Sequence, residues 1–224
     1  MDNLMAVVVG SAFGVAASPL PIVALLIILL TRRATFSSLV FLGSWVAGVA
    51  AAITIAISFA GRIKPPHGLD LESEGLVTLL FGVGLLVTAW ISRRGRFRSE
   101  DPDAAPRWVA AVDGLSPLGG ALLALSNAMT SPKNLALAIS AGLAISQARL
   151  RQPGESMMAA VYVFIASTSI LAPVVVYFLG GDASRAVLTR WKQVITARAA
   201  AIVEVTLFIF GIALALKGVY NLFG

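Results

Sequence analysis

The hexapeptides ASPLPI at residues 17–22 and TSPKNL at residues 130–135 decide how this chain folds. Each places a Ser-Pro pair deep inside a long apolar run. A proline inside a helix removes one backbone hydrogen bond and clashes with the preceding turn, and bilayer hydrocarbon holds no water to satisfy the freed carbonyls. The sequence therefore predicts two broken helices, each with polar side chains close to its break.

The composition places both apolar runs in a membrane. The 224 residues are 58% hydrophobic and 12% charged, with a mean hydropathy of +0.89, which lies far outside soluble composition. There is no cysteine and one histidine, His67, so disulfides, thiolate metal sites and haem or multi-histidine metal sites are not expected. We expect no cofactor and no metal. Because no paired carboxylates or nucleophile motif stand out, we also expect no enzyme.

Six apolar runs predict six transmembrane helices, since about 20 apolar residues span a bilayer. The runs are residues 4–31, 34–61, 75–92, 114–148, 156–181 and 199–216. Residues 93–113 are rich in charge and predict a solvated linker. This linker separates a first three-helix repeat, residues 1–92, from a second, residues 114–224.

The two halves also match in their third spans, where LFGVGL at residues 80–85 corresponds to IFGIAL at residues 209–214. Because each repeat has an odd number of spans, the second copy enters the membrane from the opposite side, which is a frequent architecture of secondary transporters. The predicted fold class is all-α and integral to the membrane. It has six transmembrane helices in two inverted three-helix repeats, with proline breaks in helices one and four.

Basic residues are spread unequally over the loops. One face carries eleven Lys and Arg residues and the other carries five, and Lys133 within the membrane completes the 17. The positive-inside rule then predicts a cytoplasmic central loop with both termini outside. The net charge of +6 is therefore interpreted as an orientation signal, and nucleic acid is not an expected partner.

Residues 183–196 predict an interfacial helix between spans five and six. Its apolar residues recur at helical spacing, namely Val187, Leu188, Trp191, Val194 and Ile195. One interpretation is a connector anchored in the membrane interface by Trp191. The alternative is a helix that binds anionic lipid headgroups through its basic residues.

The residues around the two breaks are the candidate substrate pathway, because interrupted spans at matching positions of two repeats indicate a binding site near the membrane midplane. They are Ser18, Pro19, Pro21, Asn127, Thr130, Ser131, Pro132, Lys133 and Asn134. The alternative is a pair of helices that kink and pack around their prolines without binding a substrate.

Charged residues near the apolar runs are the remaining candidates. A cation at the bilayer centre costs at least about 2.5 to 3.5 kcal/mol, so Lys133 is expected to face the protein interior. If its helix ends near Pro132, Lys133 would instead extend to an interface. Glu204 is a candidate counter-charge or coupling residue, or else an interfacial acid. Asp113 is interpreted as a helix N-terminal charge, with a coupling role as the alternative.

With these motifs the chain resembles the lysine-exporter (LysE) superfamily, whose members carry a proline-rich break in span one and an Asn-Pro-Lys motif in span four. Within it, the chain is similar to the GAP family of glycopeptidolipid- and sulfolipid-addressing (Sap-like) proteins. The resemblance rests on SPLPI at 18–22, GSWVAG at 43–48, DGLSP at 113–117 and SPKNL at 131–135, and covers nearly all of the chain except the central loop. Ser131 stands where the family motif has asparagine.

The resemblance implies a transporter that exports or flips envelope glycolipids across the bacterial inner membrane. Its implied partners are membrane lipids, an envelope glycolipid substrate and a larger lipid transporter. Small residues at four-residue spacing, such as Ser44 and Gly48, indicate helix packing within a bundle, with a homodimer face as the alternative.

Two other functions stay open. One is export of a small polar metabolite such as an amino acid, and the other is a non-transporting scaffold of a lipid-export machine. An exporter of small cations would be expected to carry intramembrane carboxylates, and Glu204 is the one candidate in the apolar runs. The sequence therefore favours lipid.

Overall fold

The computed structural model describes residues 2–31, 33–60, 71–97, 115–151 and 153–223. Asp113, His67 and most of the predicted linker lie outside these residues. Within the described ranges the regular secondary structure is all helical, and there is no strand. The helices are α1 (Asp2–Ala16), α2 (Pro19–Leu29), α3 (Ala34–Ala60), α4 (Leu71–Phe97), α5 (Pro117–Thr130), α6 (Pro132–Gln147), α7 (Gly154–Leu179) and α8 (Ser184–Phe223), with a short 3-10 turn at Gly181–Ala183.

Three of these helices are long and apolar enough to cross a membrane: α3, α7 and the stretch Ala201–Tyr220 of α8. The pair α1 and α2 counts as a fourth candidate span, bent by 49° at its break. In α4, the described apolar stretch Gly82–Ile91 is shorter than a span, and α5 and α6 are each too short alone at 14 and 16 residues. The protein is therefore an all-helical membrane protein, while the count of six spans stays a prediction.

Both predicted helix breaks are confirmed. The first falls between α1 and α2 and the second between α5 and α6, and in each case a serine precedes the proline that opens the next helix. Ser18 has φ −100° and ψ 106°, and Ser131 has φ −61° and ψ 122°, so both backbones are extended. A residue before proline is driven out of the helical region, and proline fits the first helical position because no donor is needed there.

The described residues fall into two compact units. The first contains those of Met1–Arg62 and Ala105–Thr196, and the second contains those of Ile63–Ala104 and Ala197–Gly224. Within the first unit, α3 contacts α2, α5, α6 and α7, and α1 contacts α6 and α7. The predicted boundaries of the sequence repeats, 1–92, 93–113 and 114–224, stay a prediction.

The predicted interfacial segment continues without interruption into the predicted sixth span. The helix begins at Ser184 and runs to Phe223. Residues 184–210 include neither glycine nor proline, and four of the five residues 197–201 are alanine, the residue with the highest helix propensity. The chain therefore has no local reason to turn between the two segments.

Glycines let α3 approach both α5 and α6 closely, as the small-residue spacing predicted. A Cβ placed on Gly48 of α3 would lie 2.8 Å from the Cβ of Ala128 in α5. A Cβ on Gly142 of α6 would lie 2.7 Å from the Cβ of Ala56 in α3 and 2.9 Å from the carbonyl carbon of Ala56. Because backbone atoms are part of that contact, the two helices must move apart to admit even one methyl group.

We expect Gly142→Ala to lower the melting temperature of the purified protein by about 3 to 10 °C, because overpacking typically costs about 1 to 3 kcal/mol. Gly43→Ala is the matched control, since a Cβ there meets no atom within 4 Å. It should leave the melting temperature unchanged or raise it slightly. Equal melting temperatures for the two variants would contradict the close approach of α3 and α6.

Candidate functional site

The two broken spans meet through one buried asparagine. The hydroxyl Oγ of Ser18 donates to Oδ1 of Asn134 at 3.2 Å, and both residues are buried. The amide Nδ2 of Asn134 donates in turn to the backbone carbonyl of Asn127 at 3.1 Å. The side chain of Asn134 therefore links the first break to the helix that precedes the second break.

The carbonyl of Asn127 lies at the end of α5, where the helix runs out of donors. The N–H of Ser131 donates to this carbonyl at 3.3 Å, which is long for a helical hydrogen bond. Asn134, on the far side of Pro132, reaches back and supplies a second donor. A polar side chain near the second break thus adds a hydrogen bond to the last turn of the interrupted helix.

Lys133 supplies hydrogen-bond donors to backbone carbonyls of the other broken helix. Its ammonium Nζ donates to the carbonyl of Gly14 at 2.8 Å and to the carbonyl of Ala17 at 3.3 Å. In an unbroken helix the carbonyl of Ala17 would accept from residue 21, but Pro21 has no N–H. The positive charge also suits the C-terminal end of α1, where the helix dipole is negative.

The environment of Lys133 matches the prediction that it faces the protein interior. The side chain is half-buried and is directed at the break of the first span. Among the described residues of the first unit, none supplies a carboxylate paired with Lys133. An ammonium has three N–H donors, and the backbone carbonyls of Gly14 and Ala17 engage two of them. Within the described residues of this unit, the charge is therefore hydrogen-bonded by neutral carbonyl groups.

The other candidate residues divide into inner and outer positions. Pro19 and Pro21 are buried, Ser131 is half-buried, and Thr130 and Pro132 are exposed. The hydroxyl of Thr130 donates to the carbonyl of Ser126 at 2.8 Å, one turn back in its own helix. The structure thus brings Ser18, Asn127, Lys133 and Asn134 together and leaves Thr130 outside the cluster.

Sequence reasoning missed the backbone acceptors of Gly14 and Ala17. A signal for Ala17 was present, because Pro21 stands four residues after it. The signal for Gly14 was the extended Ser18 before a proline, which takes the usual donor out of the helix. Neither signal identified the donor that would replace the missing ones.

Glu204 lies in the second unit, where it has a basic partner. Its Oε1 is 3.6 Å from Nε of Arg93, with side-chain exposures of 17% and 62%. Next to Arg93, the guanidinium of Arg94 lies 3.6 Å above the ring of Trp90. The carboxylate that was a candidate counter-charge therefore pairs with an arginine at the end of α4. No cluster of metal-ligating side chains occurs among the described residues.

These features define a class of protein: an all-helical membrane protein with two proline-broken helices joined by a lysine and an asparagine. The chain belongs to the family described as Sap, sulfolipid-1-addressing protein, whose profile matches residues 8–220. Neither a curated protein nor a solved structure matches the chain. The predicted similarity to sulfolipid-addressing proteins is confirmed, and membership of the lysine-exporter superfamily stays a prediction.

The link between the two breaks can be measured with a double-mutant cycle. We expect Ser18→Ala and Asn134→Leu to destabilise the protein non-additively, with a coupling energy of about 0.5 to 1.5 kcal/mol, typical of one hydrogen bond. Thr130→Val is the control, because the Thr130 hydroxyl bonds only within its own helix. In the double variant with Asn134→Leu, the two changes in the free energy of unfolding should be additive. Additive effects for Ser18 and Asn134 in unfolding titrations would contradict the bridge.

Proposed function

We propose that this protein exports or flips an envelope glycolipid with an anionic headgroup across the bacterial inner membrane, and that Lys133 binds that headgroup. The observation that carries the proposal is the half-buried ammonium of Lys133 at the meeting point of the two breaks. Family membership supports a role in lipid export or localisation. A sulfate or phosphate headgroup would supply an anion, which the described residues of the first unit do not provide at Lys133.

The chemistry of the cluster suits a headgroup that binds and leaves. Lys133 donates to backbone carbonyls, so its charge is hydrogen-bonded before any lipid arrives. Charge-assisted hydrogen bonds contribute about 1.5 to 3 kcal/mol each, enough to attract an anion without trapping it. Ser18 and Asn134 hold the two breaks together beside the ammonium. The prolines keep both helices interrupted beside the site.

The proposal includes two inverted repeats, which contacts within each unit support. In the second unit, a Cβ on Gly82 would lie 2.9 Å from the carbonyl of Gly211, and a Cβ on Gly211 would lie 3.1 Å from the carbonyl of Gly82. These glycines occupy equivalent positions in the two matched motifs, and their contacts are reciprocal, as expected at a two-fold axis.

The helix contacts of the first unit have the same symmetry. The repeats pair α1 with α5, α2 with α6 and α3 with α7. If each helix is replaced by its repeat partner, the α3–α5 contact becomes the α7–α1 contact. In the same way, the α1–α6 contact becomes the α5–α2 contact. All four contacts occur in the structure. An inverted repeat with matched breaks is the arrangement in which transporters place a midplane site.

Two further functions remain as alternatives. A small polar metabolite such as an amino acid would need a site that also recognises its ammonium group, and the cluster at Lys133 includes no carboxylate among the described residues of its unit. A non-transporting scaffold of a larger lipid-export machine would depend on the charged linker at residues 93–113 and not on Lys133. A homodimer and a larger transporter partner also stay proposals.

The test is the surface-lipid profile of cells that express variants of Lys133. Lys133→Gln keeps N–H donors for the carbonyls of Gly14 and Ala17 and removes the charge. We expect it to accumulate in the membrane and to lower the surface level of the exported lipid about tenfold or more. Lys133→Arg, which keeps the charge, should retain a substantial part of the export. Arg151→Gln removes an exposed charge of the same unit and should have no effect.

Wild-type surface lipid in the Lys133→Gln cells would overturn the assignment of Lys133. If deletion of the protein left every envelope lipid unchanged and reduced a secreted amino acid, the small-metabolite alternative would replace the proposal. If export depended on residues 93–113 and not on the charge of Lys133, the scaffold would replace it.

A further inference from the structure

The first turns of α8 carry a groove that the proposed transport site does not use. It is lined by Val187, Arg190, Trp191, Val194 and Ile195 and encloses about 470 Å³. Its lining combines one guanidinium, one indole and three aliphatic side chains. Trp191 is the residue type that favours the level of lipid headgroups, because an indole has an apolar body and one polar N–H.

The helix that carries the groove also packs against the rest of the first unit. Ser184 and Leu188 are buried, while Val187 and Val194 are 39% and 51% exposed. The guanidinium Nη2 of Arg185 donates to the carbonyl of Leu30 at 3.4 Å, which ties the start of α8 to the end of α2. The groove therefore lies on a partly exposed stretch of a helix whose start contacts α2.

The helix segment that carries the groove has charged residues of a single sign. Between residues 184 and 196 the chain has three basic residues, Arg185, Arg190 and Lys192, and no acidic residue. Of the three basic residues in this segment, Arg190 lines the groove itself.

A guanidinium beside exposed aliphatic side chains can contact both the phosphate and an acyl chain of an anionic phospholipid. A phosphate accepts two parallel hydrogen bonds from an arginine. An acyl chain can lie along the aliphatic residues of a helix that sits in the membrane interface. A soluble anion would contact the guanidinium and leave the aliphatic side chains exposed to water.

We propose that this groove binds one anionic phospholipid, with the phosphate on Arg190 and an acyl chain against Val187 and Val194. The site is separate from the Lys133 cluster and does not depend on the transport proposal. It provides a fixed lipid contact on the helix that leads into the last apolar segment of the chain.

The experiment uses the full-length protein in nanodiscs that contain a trace of photoreactive phosphatidylglycerol, with the labelled peptide identified by mass spectrometry. We expect labelling within residues 184–196, competition by unlabelled phosphatidylglycerol, and little competition by phosphatidylcholine or inorganic phosphate. Arg190→Gln should lower the labelling of this segment about fivefold or more. Arg190→Lys, which keeps the charge but not the fork of two donors, should give an intermediate value.

Lys192→Gln is the matched control, because it removes a neighbouring charge that does not line the groove. It should leave most of the labelling intact. Equal losses for Arg190→Gln and Lys192→Gln would show general attraction to an anionic surface and overturn the specific site, as would equal labelling by a phosphatidylcholine probe. Surface-lipid levels in Lys133→Gln cells test the transport site separately, so the two proposals can fail independently.

Discussion

The hydrogen bonds from the Lys133 ammonium to the carbonyls of Gly14 and Ala17 are the constraint on which the first unit depends. Pro21 leaves the carbonyl of Ala17 without a helical donor, and hydrocarbon offers no water in its place. The lysine has the opposite requirement, because a charged side chain within a membrane is costly unless polar groups surround it. Each group is unfavourable alone and is satisfied by the other, so the broken first span and the lysine-bearing second break stabilise one another.

The two breaks are similar in sequence but opposite in what they supply. ASPLPI carries two prolines and only one side-chain donor, Ser18, whereas TSPKNL carries Lys133 and Asn134 next to a single proline. Apart from the Ser18 hydroxyl, which donates to Asn134, the first break therefore offers backbone acceptors and the second offers side-chain donors. This asymmetry leaves one positive charge at the junction of the two breaks. A pathway for an anionic headgroup requires such a charge. If the donors served only to satisfy the free carbonyls of two kinked helices, neutral amide side chains would be enough.

The sequence was sufficient to predict local features and insufficient for those that depend on tertiary contacts. Proline geometry predicted that Ser18 and Ser131 would lie at breaks, and the apolar pattern predicted the extents of α3 and α7 within a few residues. The acceptors of Lys133 could not be predicted, because they lie 119 and 116 positions away in the chain. The outward position of Thr130 was also hidden, since a hydroxyl in a helix can bond to its own backbone as readily as to a neighbour.

The pairing of Glu204 shows the same limit. Because Glu204 lies in an apolar run, the sequence suggested that it would pair with Lys133. In the structure its carboxylate lies 3.6 Å from Arg93 in the second unit. Gly82 and Gly211 were paired because they occupy the same position in the two matched motifs. In the structure, a Cβ on either glycine would lie close to the carbonyl of the other. The motif match thus marks Gly82 and Gly211 as candidate equivalent positions, with the inverted repeat still a prediction, while individual charge pairs depend on packing.

The measurement that tests the central claim most directly is lipid export by a Pro21→Ala variant. Alanine adds an N–H that would donate to the carbonyl of Ala17 in a continuous helix, so it can compete with Lys133 for this carbonyl even though Pro19 keeps Ser18 extended. The account predicts a protein at least as thermally stable as the wild type, with surface lipid reduced about tenfold or more. The control is Pro173→Ala, a proline within the continuous helix α7, which should leave export unchanged. Wild-type export by Pro21→Ala would contradict the claim that the open break, held by Lys133, is the functional centre.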